Sequence, residues 1–281
     1  MVEDTRKSFY HIHMVSDATG ETLNTVARAA TAHYSSFQPI EHIYALVRSA
    51  RQLKRVMRNI EDNPGIVLFT MVDTKLRKEL ETECQRLDVP AISILDPVIS
   101  SLAVYLNAES SPQIGAQHAM NAEYFGRIEA LNFTMMHDDG QHTEDLDNAD
   151  IVIVGISRTS KTPTSIYLAN RGVKTANVPL VPEIPLPDAL EKLKGPLVVG
   201  LVASPERISQ IRRNRLLSLK EDRQTSYADR DIIAEELIFA RKLFARHDWP
   251  MIDVTRRSIE ETAAAILNLF QEHQKKDVVI S

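Results

Sequence analysis

A single cysteine, Cys84, is the only thiol in the 281-residue chain. That excludes an internal disulfide framework and any cysteine-rich zinc site. Apolar runs of membrane-spanning length are missing. The opening segment, Met1-Val-Glu-Asp-Thr-Arg-Lys7, lacks a signal-peptide apolar region, so the cytoplasm is the expected location. Basic charge is in deficit, with 33 Lys and Arg against 38 Asp and Glu, for a net charge of −5. This balance argues against bulk affinity for nucleic acid or an acidic membrane surface. No repeat or low-complexity segment is evident. What remains, 43% hydrophobic and 25% charged residues, is ordinary for a globular protein with room for one large or two modest domains.

The patterning alternates strand and helix. Strands are expected at 9–15, 40–47, 65–72 and 89–95. Helices lie between them, one carrying Leu23, Val26, Ala27, Ala30 and Tyr34 on one face and another Leu53, Val56, Met57 and Ile60. A capping box from Ser49 and Gln52 opens the second helix, and Asp73 caps the third. Cys84 falls on the apolar stripe of that third helix, which points to packing. Residues 107–127 are polar and rich in breakers. After a possible helix over 121–133 the alternation resumes, with strands at 151–154, 173–180, 196–202 and 249–254. Ser258 and Glu261 cap a last helix. The pattern predicts an α/β protein with an N-terminal doubly wound parallel-sheet half (1–106), a connecting segment (107–148) and a C-terminal half carrying a phosphate loop (149–281).

That loop is the most informative stretch. Ile151-Val-Ile-Val154 has the composition of a strand buried on both faces. Gly155 opens a turn through Ile156, Ser157, Arg158, Thr159 and Ser160, and Lys161-Thr162 begin a helix with Pro163 in its first turn. Strand, loop and helix in this order aim backbone N–H groups and the positive helix end at an anion. Lys161 adds a point charge, and the Thr162 hydroxyl is suited to a magnesium ion. Ser160 stands where the Gly-x-x-x-x-Gly-Lys-Ser/Thr pattern has its second glycine. If the position needs positive φ, serine is strained there.

Other candidates carry two readings each. Arg158 either clamps a phosphoryl group or pairs with a neighbouring carboxylate. Asp17, in a turn after a strand, is a candidate base, or else Ser16 and Asp17 cap the next helix. His137, Asp138 and Asp139 read first as a tight turn and second as a site. His11 and His13 face one side of a strand, as structural histidines or part of a metal site. Arg212, Arg213 and Arg215 read as a solvated helix face or as a phosphate or partner contact. Asp73 and Asp253 each follow an apolar run and are candidates for a second magnesium-binding carboxylate or for caps.

Ser16-Asp-Ala-Thr-Gly-Glu-Thr22, Met136-His-Asp-Asp-Gly140, Gly155-Ile-Ser-Arg-Thr-Ser-Lys-Thr-Pro-Thr164, Ala176-Asn-Val-Pro-Leu180 and Trp249-Pro-Met-Ile252 together resemble the bacterial regulatory proteins of pyruvate, phosphate dikinase. This family is shared with the regulators of phosphoenolpyruvate synthase. The blocks run in family order over nearly the whole chain, and Ser160 is compatible with the dikinase-type branch. The resemblance implies a bifunctional enzyme. It would move a phosphoryl group from ADP onto a threonine near the dikinase's catalytic histidine, and remove it with inorganic phosphate, releasing pyrophosphate. Residues 156–162 would then cradle ADP, with Lys161, Arg158 and Asp17 catalytic and Thr162 on Mg2+. The partner would be the dikinase or the synthase, and a homo-oligomer is compatible with the sequence. An ATP-dependent small-molecule kinase and a nucleotide-sensing module without turnover are the rival readings.

Overall fold

Runs of β-branched residues bounded by turns, each followed by a helix with one apolar face, have few ways to bury themselves, and parallel sheets covered by helices are the commonest. A computed structural model, which describes residues 8–109, 122–182, 184–218 and 226–280, shows two such sheets. The chain divides into two units, Met1–Ala119 and Met120–Ser281.

In the first unit the elements are β1 (Ser8–Ser16), α1 (Glu21–Thr31), β2 (Phe37–Tyr44), α2 (Ala50–Asp62), β3 (Gly65–Thr70), α3 (Thr74–Arg86), β4 (Ala91–Ser93) and α4 (Asp96–Leu106). The strands are parallel in the order β2-β1-β3-β4. Ile12, Met14 and Leu68 point to one face and pack with Leu23 and Ala27 of α1. Val15, Val67 and Phe69 point to the other, against Leu53, Val56 and Ile60 of α2 and Leu76, Leu80 and Cys84 of α3. Period-2 alternation therefore serves both faces, and the sheet is doubly wound. Ser49 and Gln52 form the expected box, with Gln52 N–H donating to Ser49 Oγ and Ser49 Oγ and Arg48 N–H donating to Gln52 Oε1. Asp73 Oδ1 accepts from Lys75 N–H and Leu76 N–H, which makes it a cap. Cys84 is buried and its thiol is pushed up to about 11, chiefly by burial, so it is packing material.

In the second unit follow α5 (Ala122–Met136), turns at Asp138–Gly140 and Thr143–Asn148, β5 (Ile151–Gly155), α6 (Lys161–Ala169), β6 (Thr175–Pro179), α7 (Asp188–Lys192), β7 (Leu197–Val202), α8 (Pro205–Ser218), a turn at Ser226–Ala228, α9 (Arg230–Arg246), β8 (Met251–Asp253) and α10 (Ile259–Ile280). The parallel order is β6-β5-β7-β8. All of Ile151 to Gly155 and of Leu197 to Val202 is buried, as central strands covered on both faces require. Helix α5 packs on β6 and α6, so it belongs to this unit.

The first sheet departs from the sequence at its edge. Residues 40–47 were the expected strand, but β2 runs Phe37–Tyr44. It is an edge strand with Pro39 tolerated in it, and Leu46 turns into left-handed φ at 57°. The two sheets also share one strand order, a repeat of architecture with no legible repeat of sequence. Among the described residues no helix is long and apolar enough to cross a membrane.

Candidate functional site

In a sheet of order β6-β5-β7-β8, the chain after β5 crosses to one side and the chain after β7 to the other, which opens a crevice between the C-terminal ends of β5 and β7. The loop Ile156–Ser160 lies there. Gly155 lets it turn: a Cβ at this position would sit 2.7 Å from the Leu201 carbonyl oxygen and 2.8 Å from Thr159 Oγ1. Arg158 and Ser160 both adopt left-handed φ, 72° and 63°. The strain expected of serine at 160 is therefore present, and it sits where backbone strain tends to collect, at a binding loop.

The loop's polar groups are divided by sign. Three of its carbonyls are engaged: that of Ile156 takes the Thr159 hydroxyl at 2.9 Å and the Lys161 ammonium at 3.2 Å, that of Ser157 takes Arg212, and that of Ser160 takes Thr164 N–H. Its donors are open. From Ser157 to Thr162 no backbone N–H donates to a described residue. Backbone donors held open at a helix start form an anion nest. Lys161 completes it from below. Its side chain is buried, which lowers its pKa from 10.5 to about 8 despite the favourable charges of Asp139 and Asp138, and Arg158 and Arg212 lower it further. An anion arriving on the nest would favour the charged form of this buried amine.

On the β6 side, the turn Asp138–Gly140 brings two carboxylates up. Asp138 Oδ1 accepts from Thr162 Oγ1 at 2.9 Å and from Asn177 Nδ2. Asn177 Oδ1 in turn accepts from Asp139 N–H at 3.1 Å, fixing Asp139 at φ 54°. The Asp139 carboxylate itself has no hydrogen bond among the described residues. Thr162 Oγ and Asp138 together offer the hard oxygen donors that magnesium prefers.

On the β7 side Arg212 is buried beneath the loop, not on a solvated helix face. It forks onto Glu236, with Nη1 to Oε1 at 3.0 Å and Nη2 to Oε2 at 2.6 Å. It also donates to the Tyr227 carbonyl at 2.9 Å and the Ser157 carbonyl at 3.3 Å, and lies over the Tyr227 ring. Tyr227 OH meets Ser157 Oγ at 3.1 Å and accepts from Arg158 Nε at 3.2 Å. Burial would raise the Tyr227 phenol, but those two bonds and the charges of Arg158 and Arg212 outweigh it and lower it. Arg158 is thus held by a phenol rather than by a carboxylate.

The structure therefore gathers Gly155 to Thr162, Asp138, Asp139, Arg212 and Tyr227. Asp17 is a residue of the first unit. There its Oδ2 accepts from Val72 N–H at 2.6 Å, and its carbonyl takes Arg48 Nε at 2.8 Å. Helix α1 is capped instead by Gly20, with no side-chain bond. His11 and His13 are joined by His42 in a stacked row, with His13 bonded to the Asn63 carbonyl. Neither these three histidines nor any other group of three or more His, Cys, Asp or Glu among the described residues is placed to hold a metal ion together. Asp253 accepts from Thr255. The carboxylate nearest Thr162 is Asp138, which its turn-like sequence obscured.

A family model described as kinase/pyrophosphorylase matches residues 12–267. The chain belongs to this family. Membership gives it a kinase, hence phosphotransferase, role. Its relatives agree: a protein of Bradyrhizobium diazoefficiens called "Putative pyruvate, phosphate dikinase regulatory protein" is 59% identical over 272 residues, 96% of this chain and 98% of that one. Identically named proteins of Afipia carboxidovorans (57% over 278 residues, 97% and 98%) and Maricaulis maris (57% over 269 residues, 96% and 96%) are also similar to this chain.

Proposed function

We propose that this chain is a bifunctional regulator of pyruvate, phosphate dikinase. It phosphorylates a dikinase threonine from ADP, inactivating that enzyme, and removes the phosphoryl group with inorganic phosphate, releasing pyrophosphate. The observation that carries this reading is the row of open N–H donors from Ser157 to Thr162 closed by buried Lys161. Family membership and the relatives' names supply the partner. The cytoplasm is the corresponding location.

In the kinase direction, the N–H groups of residues 156–162 hold the diphosphate of ADP, and Lys161 neutralises charge at its α/β bridge. Thr162 and Asp138 would hold Mg2+, which supplies charge compensation on the phosphate oxygens when bound. Arg158, oriented by Tyr227, reaches over the transferring group. For the base, Asp139 is preferred to Asp17, because its carboxylate is free beside Lys161 whereas that of Asp17 is occupied by Val72. Asp139 takes the threonine hydroxyl proton as the threonine oxygen bonds to the β-phosphorus and the bond to the bridging oxygen breaks, releasing AMP. In the reverse direction an oxygen of inorganic phosphate bonds to the phosphothreonine phosphorus. The bond to the threonine oxygen breaks, and Asp139 returns the proton to that oxygen. Positioning and fixed charge supply most of the acceleration.

Transfer from β-labelled ADP to purified dikinase tests the proposal, with ATP and phosphoenolpyruvate synthase as parallel controls. Label on a dikinase threonine, released as pyrophosphate on adding phosphate, is the expected result. Label on the synthase alone changes the partner, and no transfer to either protein sinks the reading. Asp139→Asn separates the two candidate bases, since it lowers turnover while leaving ADP affinity in place.

A further inference from the structure

We infer that the second unit carries a separate docking cavity for an acidic or phosphorylated segment of the protein substrate, beside the phosphate loop. This rests on the proposed protein substrate. Helix α8 works on two faces. Inward it sends Arg212 under the loop, and outward it sends Arg207 and Arg213 into a cavity of about 580 Å3. Arg230, the first residue of α9, and Arg256, just after β8, reach the same space. Its floor is fixed, because Ser204 N–H donates to Thr255 Oγ1 at 2.8 Å and that hydroxyl donates to Asp253 at 2.5 Å.

Among the described residues none of these four arginines makes an ion pair. Among the described residues Glu206 is the only carboxylate lining the cavity. Four like charges converging on one concavity, in a chain of net charge −5, is an unfavourable arrangement that an anion relieves. Among the described residues the lining contains no aromatic ring, and Leu217 is its only large apolar side chain, so they offer no bed for a nucleotide base. A peptide segment bearing carboxylates or a phosphate suits it, since guanidinium forks match both. The location agrees. Ser204 and Thr255 follow β7 and β8 at the same sheet edge from which the loop leaves β5. Strand spacing puts β8 only about 10 Å from β5. A substrate anchored here would present a neighbouring residue to Lys161.

The test uses full-length protein with Arg207→Glu and Arg256→Glu combined, beside Arg207→Lys with Arg256→Lys. Binding of purified pyruvate, phosphate dikinase, its KM in transfer, and ADP affinity are measured at two salt concentrations. The expected result is a loss of dikinase affinity of about tenfold or more in the Glu pair, a smaller loss in the Lys pair, a flatter salt dependence, and unchanged ADP affinity. Dikinase affinity and KM equal to wild type in the Glu pair would overturn the cavity while leaving the enzymatic reading intact. A loss confined to ADP affinity would also overturn it, by assigning the space to the nucleotide. Wild-type protein that binds dikinase through these arginines yet transfers nothing would keep the cavity and remove the enzymatic reading. Failure of wild type to bind dikinase at all would remove both.

Discussion

The two units lay out the same four parallel strands in the same order, and each places a loop after its first strand that ends in a left-handed residue before a helix. In the first unit that residue is Gly20, followed by Glu21 and Thr22; in the second it is Ser160, followed by Lys161 and Thr162. The backbone frame is shared and the chemistry is not. The first loop spends its polar groups on its own sheet: Asp17 holds Val72, Ser16 Oγ meets Thr70 Oγ1, and Arg48 closes over the Asp17 carbonyl. The second leaves its N–H groups open over a buried cation. One architecture thus yields a turn whose side chains are tied to its own sheet and followed by an acidic residue, or an anion nest closed by a buried cation, according to which charge follows the left-handed residue.

The largest effect that sharpens this contrast is expected from Lys161→Ala. Removing the cation should lower phosphoryl transfer by about 10³-fold, by analogy with losing one preorganised charge-stabilising group. The melting temperature should hold, since the variant also relieves a buried charge. Activity within threefold of wild type would break the assignment of the second loop. Next comes Arg212→Ala, which strands Glu236 and should cost about 3 kcal/mol. Chemical denaturation followed at Trp249 should show the second unit unfolding earlier. Asp17→Ala should cost about 2 kcal/mol in the first unit, because the half-buried Val72 N–H loses a charged acceptor. Transfer measured well below the melting point should be unchanged. A large loss of turnover there, with stability intact, would restore Asp17 as a catalytic group.

The smallest effect is expected from pH. Burial, then the imidazoles of His42 and His11, hold His13 below 6.5, although its bond to the Asn63 carbonyl opposes them; burial and His11 hold His42 low as well. The folded state therefore binds these protons less readily than the unfolded state does. The stability they contribute is complete above pH 6.5 and is lost as pH falls through the lowered values. Denaturation midpoints between pH 7.5 and 5.5 should fall in wild type and fall less in His13→Gln. Equal slopes would show that the stacked histidines do not couple to folding.

Much of this was legible in the sequence, for local reasons. The strand–loop–helix unit around Gly155 and Lys161 is written by composition and spacing within a dozen residues, as are the Ser49 and Asp73 caps. What was not legible depends on residues far apart in the chain. Arg212 looks like a surface cation until Glu236 and Tyr227 close around it. Asp138 looks like a turn residue until β6 brings Asn177, and α6 brings Thr162, to its carboxylate. The start of β2 was misplaced because an edge strand, half exposed, lacks the apolar alternation that marks its neighbours.

The burial of Lys161 has one more consequence. With its side chain held near 8 in the free protein, the ammonium near that pH is present on only about half of the molecules. A diphosphate settling on the loop favours the charged form, so binding should draw up about half a proton per nucleotide at pH 8 and almost none at pH 6. Titration calorimetry in buffers of different ionisation enthalpy would register that uptake as a buffer-dependent heat. Nucleotide occupancy of this loop and the acidity of its surroundings would then be linked through a single side chain.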